Sequence, residues 1–212
     1  GKRNWTIIRP YITFSQYRLQ LSSLEKEYWL NRALDGKTIV FSKDLADKTT
    51  TFTYGEDVAR GIAAIIGRKE AMGEAFHITA NQSYKWNELL EVYLNAIEEK
   101  TGTRPRVLLT DRWQDYYGGG SWQVKYDRLF NRVFDNSKIN QFIDTTTFSD
   151  TKQALSHCVK SFIESPKFLY INWQSEAKKD RLTGEWSNPL KIPGWKQKVK
   201  YVLIRLGLYH RR

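Results

Sequence analysis

Thr50-Thr51-Phe52-Thr53-Tyr54-Gly55-Glu56-Asp57-Val58-Ala59-Arg60-Gly61-Ile62 changes hydrophobic period half-way along. Its first five residues are β-branched or aromatic and alternate, which predicts a strand. Val58, Ala59, Ile62 and Ile65-Ile66 then recur at helical spacing, with Glu56 and Asp57 in the first turn, where the helix dipole favours acids. A helix over 56–67 directly behind a strand is the βα step of an α/β fold.

The same alternation extends outward on both sides. Trp5-Thr6-Ile7-Ile8-Arg9-Pro10 predicts a short buried strand stopped by proline, and Thr38-Ile39-Val40-Phe41 another. Between them, Gln20 to Leu34 reads as a helix with Leu21, Leu24, Tyr28 and Ala33 near helical spacing, ended by Asp35-Gly36. Downstream, strands are expected at Ala75-Phe76-His77-Ile78-Thr79 and Pro105-Arg106-Val107-Leu108-Leu109. They flank a helix from Trp86 to Lys100 that Gly102 ends. A short helix after a strand is expected at Phe134-Asp135-Asn136-Ser137-Lys138-Ile139, and a longer one over Ser149 to Ile163. Tyr116-Tyr117-Gly118-Gly119-Gly120-Ser121-Trp122 reads as an aromatic-flanked loop, too far from the G-x-G-x-x-G pattern to suggest a phosphate cradle.

Composition narrows the class. With 41% hydrophobic and 14% aromatic residues, the 212-residue chain can bury a core, which excludes a disordered protein. No apolar run reaches the ~20 residues a spanning helix needs. One cysteine, Cys158, excludes a disulfide framework, suits a reducing compartment and gives the expectation of a cytoplasmic protein. The chain opens Gly1-Lys2-Arg3 and its only methionine is Met72, which predicts a piece excised from a longer protein.

Charge is placed unevenly. Of the net +11, residues 166–212 hold +8, from 11 Lys+Arg against 3 Asp+Glu, leaving +3 for residues 1–165. The basic character therefore belongs to a tail, and Pro166 marks the expected boundary between a body (1–165) and an extension (166–212). Within the tail, Trp195, Val199, Val202, Leu203 and Leu206 share one face of a helix that Lys196, Lys198, Lys200 and Arg205 mostly avoid. Residues 191–212 carry seven basic residues and no acid. Three occupants suit the apolar face: the protein body or a missing half, an anionic membrane surface, or RNA stacked on Trp195, Tyr201 and Tyr209.

Catalytic groupings are scarce. Three histidines and one cysteine show no metal-ligand spacing, so a zinc site or Cys-His nucleophile is not expected. His77, in an alternating strand, reads as a hydrogen-bonded structural residue, and Cys158, with Leu155 and Phe162, as core. Asp57 reads as a first-turn acid or a substrate contact. Lys138 either caps a carboxylate or faces phosphate.

The order of several motifs is more informative than any one of them. These are a strand ending Arg9-Pro10 with Phe14 four residues on, Phe52-Thr53-Tyr54-Gly55-Glu56-Asp57-Val58-Ala59, Glu74-Ala75-Phe76-His77-Ile78-Thr79, Trp86-Asn87-Glu88-Leu89 and Asp135-Asn136-Ser137-Lys138. Over residues 4–165 the series resembles the C-terminal half of the extended short-chain dehydrogenases/reductases, the NAD-dependent epimerase/dehydratase family acting on nucleotide sugars. The resemblance implies an α/β fold: the C-terminal remainder of a Rossmann-type fold plus the smaller substrate-binding α/β subdomain, here with a helical basic tail. It also implies Pro10, Tyr11 and Ile12 beside the nicotinamide ribose of NAD or NADP, and Phe14, Arg18 and Lys138 toward the substrate.

The sequence departs from the family pattern in ways that bear on activity. It has no Gly-rich fingerprint, and no tyrosine is followed four residues later by lysine. In the family that Tyr-x-x-x-Lys pair moves the substrate hydroxyl proton, so this chain alone is expected to be inert. Both motifs are expected upstream of Gly1. Thr50 stands where family members often place an arginine on the substrate phosphate, and Ile12 where asparagine is common. Expected partners are a nucleotide-sugar substrate, an N-terminal Rossmann half, a second copy in a homodimer, and an anionic membrane surface through 191–212. The alternative is a non-catalytic binding module acting through that tail.

Overall fold

The computed structural model describes residues 4–116 and 122–209; the glycine loop expected at 118–120 lies outside them. In chain order the first half forms β1 (Thr6–Arg9), β2 (Ile12–Phe14), α1 (Lys26–Leu34), β3 (Ile39–Ser42), α2 (Lys43–Ala46), β4 (Thr49–Thr50), β5 (Phe52–Tyr54) and α3 (Gly55–Ile65). The second forms β6 (Glu74–His77), β7 (Tyr84–Lys85), α4 (Trp86–Thr101), β8 (Val107–Thr110), α5 (Thr151–Glu164), α6 (Trp173–Thr183) and α7 (Trp195–Arg205). Strands pair in parallel across long chain separations: β1 with β6, β2 with β5, β3 with β8. Only the short β4–β7 ladder is antiparallel.

Parallel pairing demands crossovers, and the helices supply them. α3 leaves β5 and returns to β6, burying Val58 and Ile65 against Phe76, Ile78 and Ile139. Gly61 is needed on its inner face, because a Cβ there would lie 2.5 Å from Ile78 Cγ2. The larger core lies between β2, β3 and β5 on one side and α1, α4 and α5 on the other, with Phe14, Trp29, Phe41, Phe52, Trp86 and Tyr93 at its centre. α4 begins where Glu88 accepts the Lys85 N–H at 2.9 Å and ends at Gly102, whose φ of 74° closes the last turn. Cys158 is buried in this core, and burial pushes its thiol up to about 11.

Several expectations need correction. The helix expected over 20–34 begins only at Lys26. Upstream, the carbonyls of Leu19 and Gln20 accept from Trp29 Nε1 (3.1 Å) and the Tyr93 hydroxyl (2.7 Å), while Leu21 and Leu24 close a turn and Ser22 takes φ 55°. The strand expected over 50–54 breaks at Thr51, whose hydroxyl pairs with Ser83 and with the Arg132 carbonyl. Residues 134–138 form neither strand nor helix: Asp135 accepts the Ser137 N–H at 2.8 Å, a local turn that competes with helical bonding. Helical turning resumes as a single 3-10 turn at Ile139–Gln141.

β1 is not the buried strand expected. Among the described residues it pairs with β6 alone, leaving its other edge open and Trp5 and Ile7 48% and 42% exposed. α6 escaped the sequence reading altogether, because its buried positions include Glu176, Lys179 and Asp180. α7 exists as expected but is turned over: Tyr201 and Ile204 pack inward, while Trp195, Val199, Val202 and Leu206 face solvent.

Candidate functional site

The carboxyl end of a parallel pair in an open sheet is where α/β proteins place ligands, since chain and helix starts diverge there. In β1 and β6 that end brings Arg9 opposite His77. His77 Nδ1 lies 3.2 Å from the Arg9 carbonyl, in the structural role read from the sequence, and its ring sits 4.9 Å from that of Phe134. Phe134 in turn packs at 4.7 Å on Tyr11, so the Pro10–Ile12 turn and the 134–138 segment converge over the strand ends. The Asn136 amide fastens that segment, donating to the Thr79 carbonyl (2.7 Å) and to Asn81 Oδ1 (2.8 Å).

Tyr11 is half-buried here. Its hydroxyl donates to Asp127 Oδ1 at 2.8 Å and accepts from Arg128 Nη1 at 3.3 Å. Burial, aided by Asp127, pushes the phenol up to about 12. Asp127 also pairs with Arg128 and, at 2.9 Å, with Arg132. Asp127, Arg128 and Arg132 were not foreseen, since they follow the glycine loop in a stretch with no period to read.

The positions implied by the family resemblance separate in space. Pro10 is exposed and Tyr11 half-buried at the strand edge, whereas Ile12 enters β2 and is buried. Phe14 is 1% exposed and packs at a tilt on Phe52 (4.7 Å) and Tyr54 (5.5 Å), as part of the core. Arg18 stands exposed on a Ser15–Arg18 turn with Glu25 at 3.7 Å. Lys138 pairs with Glu74 at 2.6 Å over the Phe76 ring, the carboxylate partner of its two readings. Asp57 is buried but does not cap its own helix: it accepts the Ser149 N–H (2.9 Å) and Arg60 Nη1 (2.9 Å), tying α3 to the start of α5. The Thr50 hydroxyl is buried with no hydrogen-bond partner among the described residues.

A second polar cluster joins the 166–212 segment to the body. The Arg32 side chain, 0% exposed, donates Nη1 to Glu176 and Asp180 (2.7 Å each), Nη2 to Glu185 (2.9 Å) and Nε to the Thr38 carbonyl (2.9 Å). Lys37 reaches Asp180 and the Ser187 hydroxyl, and Tyr201 donates to Asp180 at 2.6 Å. Burial opposes charge on Asp180, but the bonds from Lys37, Tyr201 and Arg32 overcome it and hold the carboxyl below its usual range. Glu185 is lowered likewise by its bonds from Thr38 and Thr183. Arg32 carries the one signal that could have revealed this cluster: a charge three residues after Trp29 and four after Tyr28 falls on the buried side of α1.

No protein-family model matches the chain, and no curated protein matches it in sequence. Its fold is nonetheless that of part of the Rossmann-type NAD-dependent epimerases and dehydratases. Among solved structures it matches the UDP-glucuronic acid 4-epimerase of Bacillus cereus, determined with UDP-glucuronic acid and NAD, at TM-score 0.53 and 16% identity, covering 74% of this chain and 45% of that one. An epimerase of Methanothermobacter thermautotrophicus matches at TM-score 0.55 and 20% identity (75% and 43% covered). The dTDP-glucose 4,6-dehydratase DesIV of Streptomyces venezuelae, with NAD bound, matches at 0.54 and 20% (75% and 44%). The chain thus spans less than half the length of each of these proteins.

Proposed function

We propose that this chain is the substrate-binding half of an NAD(P)-dependent enzyme that epimerises, dehydrates or reduces a nucleotide sugar. A preceding Rossmann half, on this reading, supplies the dinucleotide fingerprint and the Tyr-x-x-x-Lys pair. The observation that carries it is the open edge of β1: a parallel strand paired on one side only, with apolar side chains exposed and its carboxyl end carrying Pro10 and Tyr11. Residues 1–165 form the body and 166–212 the extension, and the site of action is the cytoplasm.

The residues present fit one rim of a dinucleotide and not the whole of it. Pro10 and the Tyr11 ring border the strand end, with Ile12 packed below, while no G-x-G-x-x-G segment is available for the pyrophosphate. Bound there, NAD(P) would supply hydride transfer. Tyr11 cannot replace the absent catalytic tyrosine: its proton is held by Asp127, and a phenol pushed to about 12 is a poor base near neutrality. What this chain contributes is a wall for the ligand, an exposed cation at Arg18, and a rigid floor of Phe14, Phe52 and Tyr54.

The test extends the chain with the coding sequence upstream of Gly1. The extended protein is expected to bind NAD(P) and convert a UDP- or dTDP-sugar, while the 212-residue chain converts none. An upstream segment lacking both the Gly-rich fingerprint and Tyr-x-x-x-Lys would overturn the reading. Sedimentation of the extended protein checks the homodimer expected of it. The second reading, a binding module acting through the tail, is favoured by the outward apolar stripe of α7.

A further inference from the structure

The apolar stripe of α7 lies opposite the face by which the helix is attached. At about 100° per residue, Val199, Val202 and Leu206 fall within about 40° of Trp195, whereas Tyr201 and Ile204 lie about 120–180° away. Tyr201 and Ile204 are the residues buried against Ala177 and Ile192. Trp195, Val199, Val202 and Leu206 are 71%, 50%, 39% and 53% exposed. A helix anchored on one side and apolar on the other is left with a face that the described residues do not cover.

The flanks of that stripe are basic on both sides. Lys196 borders one side and Lys198 the other, Arg205 being turned back with its Nε on the Glu185 carbonyl at 2.8 Å and its guanidinium over the Trp186 ring, and residues 191–212 contain no acid. None of Lys196, Lys198 and Lys200 forms an ion pair among the described residues, unlike Lys191, which pairs with Asp35. We infer that α7 is an interfacial helix that lies on an anionic lipid surface. Its stripe enters the acyl boundary, and the flanking Lys196 and Lys198 meet headgroup phosphates.

Charge decides between this occupant and others. A second copy laid along α7 would bring the flanking lysines of one chain against those of the other, each chain carrying a net +11. RNA would match the cations but not a central row of Val199, Val202 and Leu206, and Tyr201, one of the aromatic candidates for stacking, is buried. An anionic bilayer satisfies both the apolar row and the basic borders. Each cation near such a surface strengthens attachment roughly fivefold, so several together with the inserted side chains give stable, salt-sensitive binding.

The inference does not rest on the enzyme reading proposed above but deepens the second one, a binding module acting through the tail, and its test uses the 212-residue chain. It is sedimented with vesicles of pure phosphatidylcholine and with vesicles containing roughly 30% phosphatidylserine. Binding is expected to the anionic vesicles only and to be released by salt. V199D/V202D and K196E/K198E should each lower it at least tenfold, with thermal melting unchanged because these side chains support no buried contact on the inward face. Equal partitioning onto both vesicle types, or full binding by both variants, overturns the proposal. So does self-association that V199D/V202D abolishes in the absence of lipid, or RNA binding that the same variants lose while vesicle binding stays absent.

Discussion

Arg32 and Gly61 show how single residues are constrained from opposite directions. Arg32 is a buried cation whose value lies in its partners; truncating it leaves Glu176 and Asp180 buried with only Lys179 and Lys37 as cationic partners, and Glu185 with Arg106. Arg32→Met is therefore expected to cost about 3–5 kcal/mol, read as a lowered urea midpoint. A midpoint shift below about 1 kcal/mol would show that water reaches the cluster freely. Gly61 is constrained by space alone. Gly61→Ala forces its Cβ against Ile78 Cγ2 and should cost about 1–3 kcal/mol. Shortening the neighbour tests the cause: Ile78→Ala should cost less in the background of Gly61→Ala than by itself, so the double variant falls short of the sum of the singles.

Between elements, the contact of α6 with α1 and β3 is electrostatic and hence pH-dependent. Asp180 and Glu185 titrate below the usual carboxylate range in the fold, so the unfolded chain takes up protons first as acid is added. Their contribution is complete at neutral pH and is lost as pH falls below about 4 through the lowered folded values. Denaturation midpoints measured from about pH 7 to about pH 3 should fall on this limb, and Asp180→Asn should flatten it. An identical acid limb in the variant would place the linkage elsewhere. β1 makes a different prediction. An open edge flanked by exposed Trp5 and Ile7 invites edge pairing between copies. Ile7→Lys should suppress concentration-dependent light scattering while moving the melting midpoint by only a degree or two, about 0.5 kcal/mol.

For the molecule as a whole, the legible parts of the sequence were those with a local physical cause. The βα step at 52–65, the helix over 86–101 with its Gly102 stop, and the 151–164 helix are written in hydrophobic period and capping residues, which act within a few positions. The Tyr11–Asp127–Arg128 cluster was not legible, because Tyr11 lies more than a hundred positions from the other two and no period links them. Nor was α6, whose buried face is charged and so carries no hydropathy signal until Arg32 and Lys37 are brought to it.

The sequence by itself determined the α/β alternation, the even charge of residues 1–165, and the presence of a basic amphipathic helix near the end. Only the tertiary structure decided which way that helix faces. Amphipathicity states that two faces differ; it does not say which one the protein covers. Here Tyr201 is drawn inward by a hydrogen bond to Asp180, itself held by Arg32 and Lys37, and Ile204 follows it. That polar anchor, together with the small apolar cluster that Tyr201 and Ile204 form with Ala177 and Ile192, turns Trp195, Val199, Val202 and Leu206 outward.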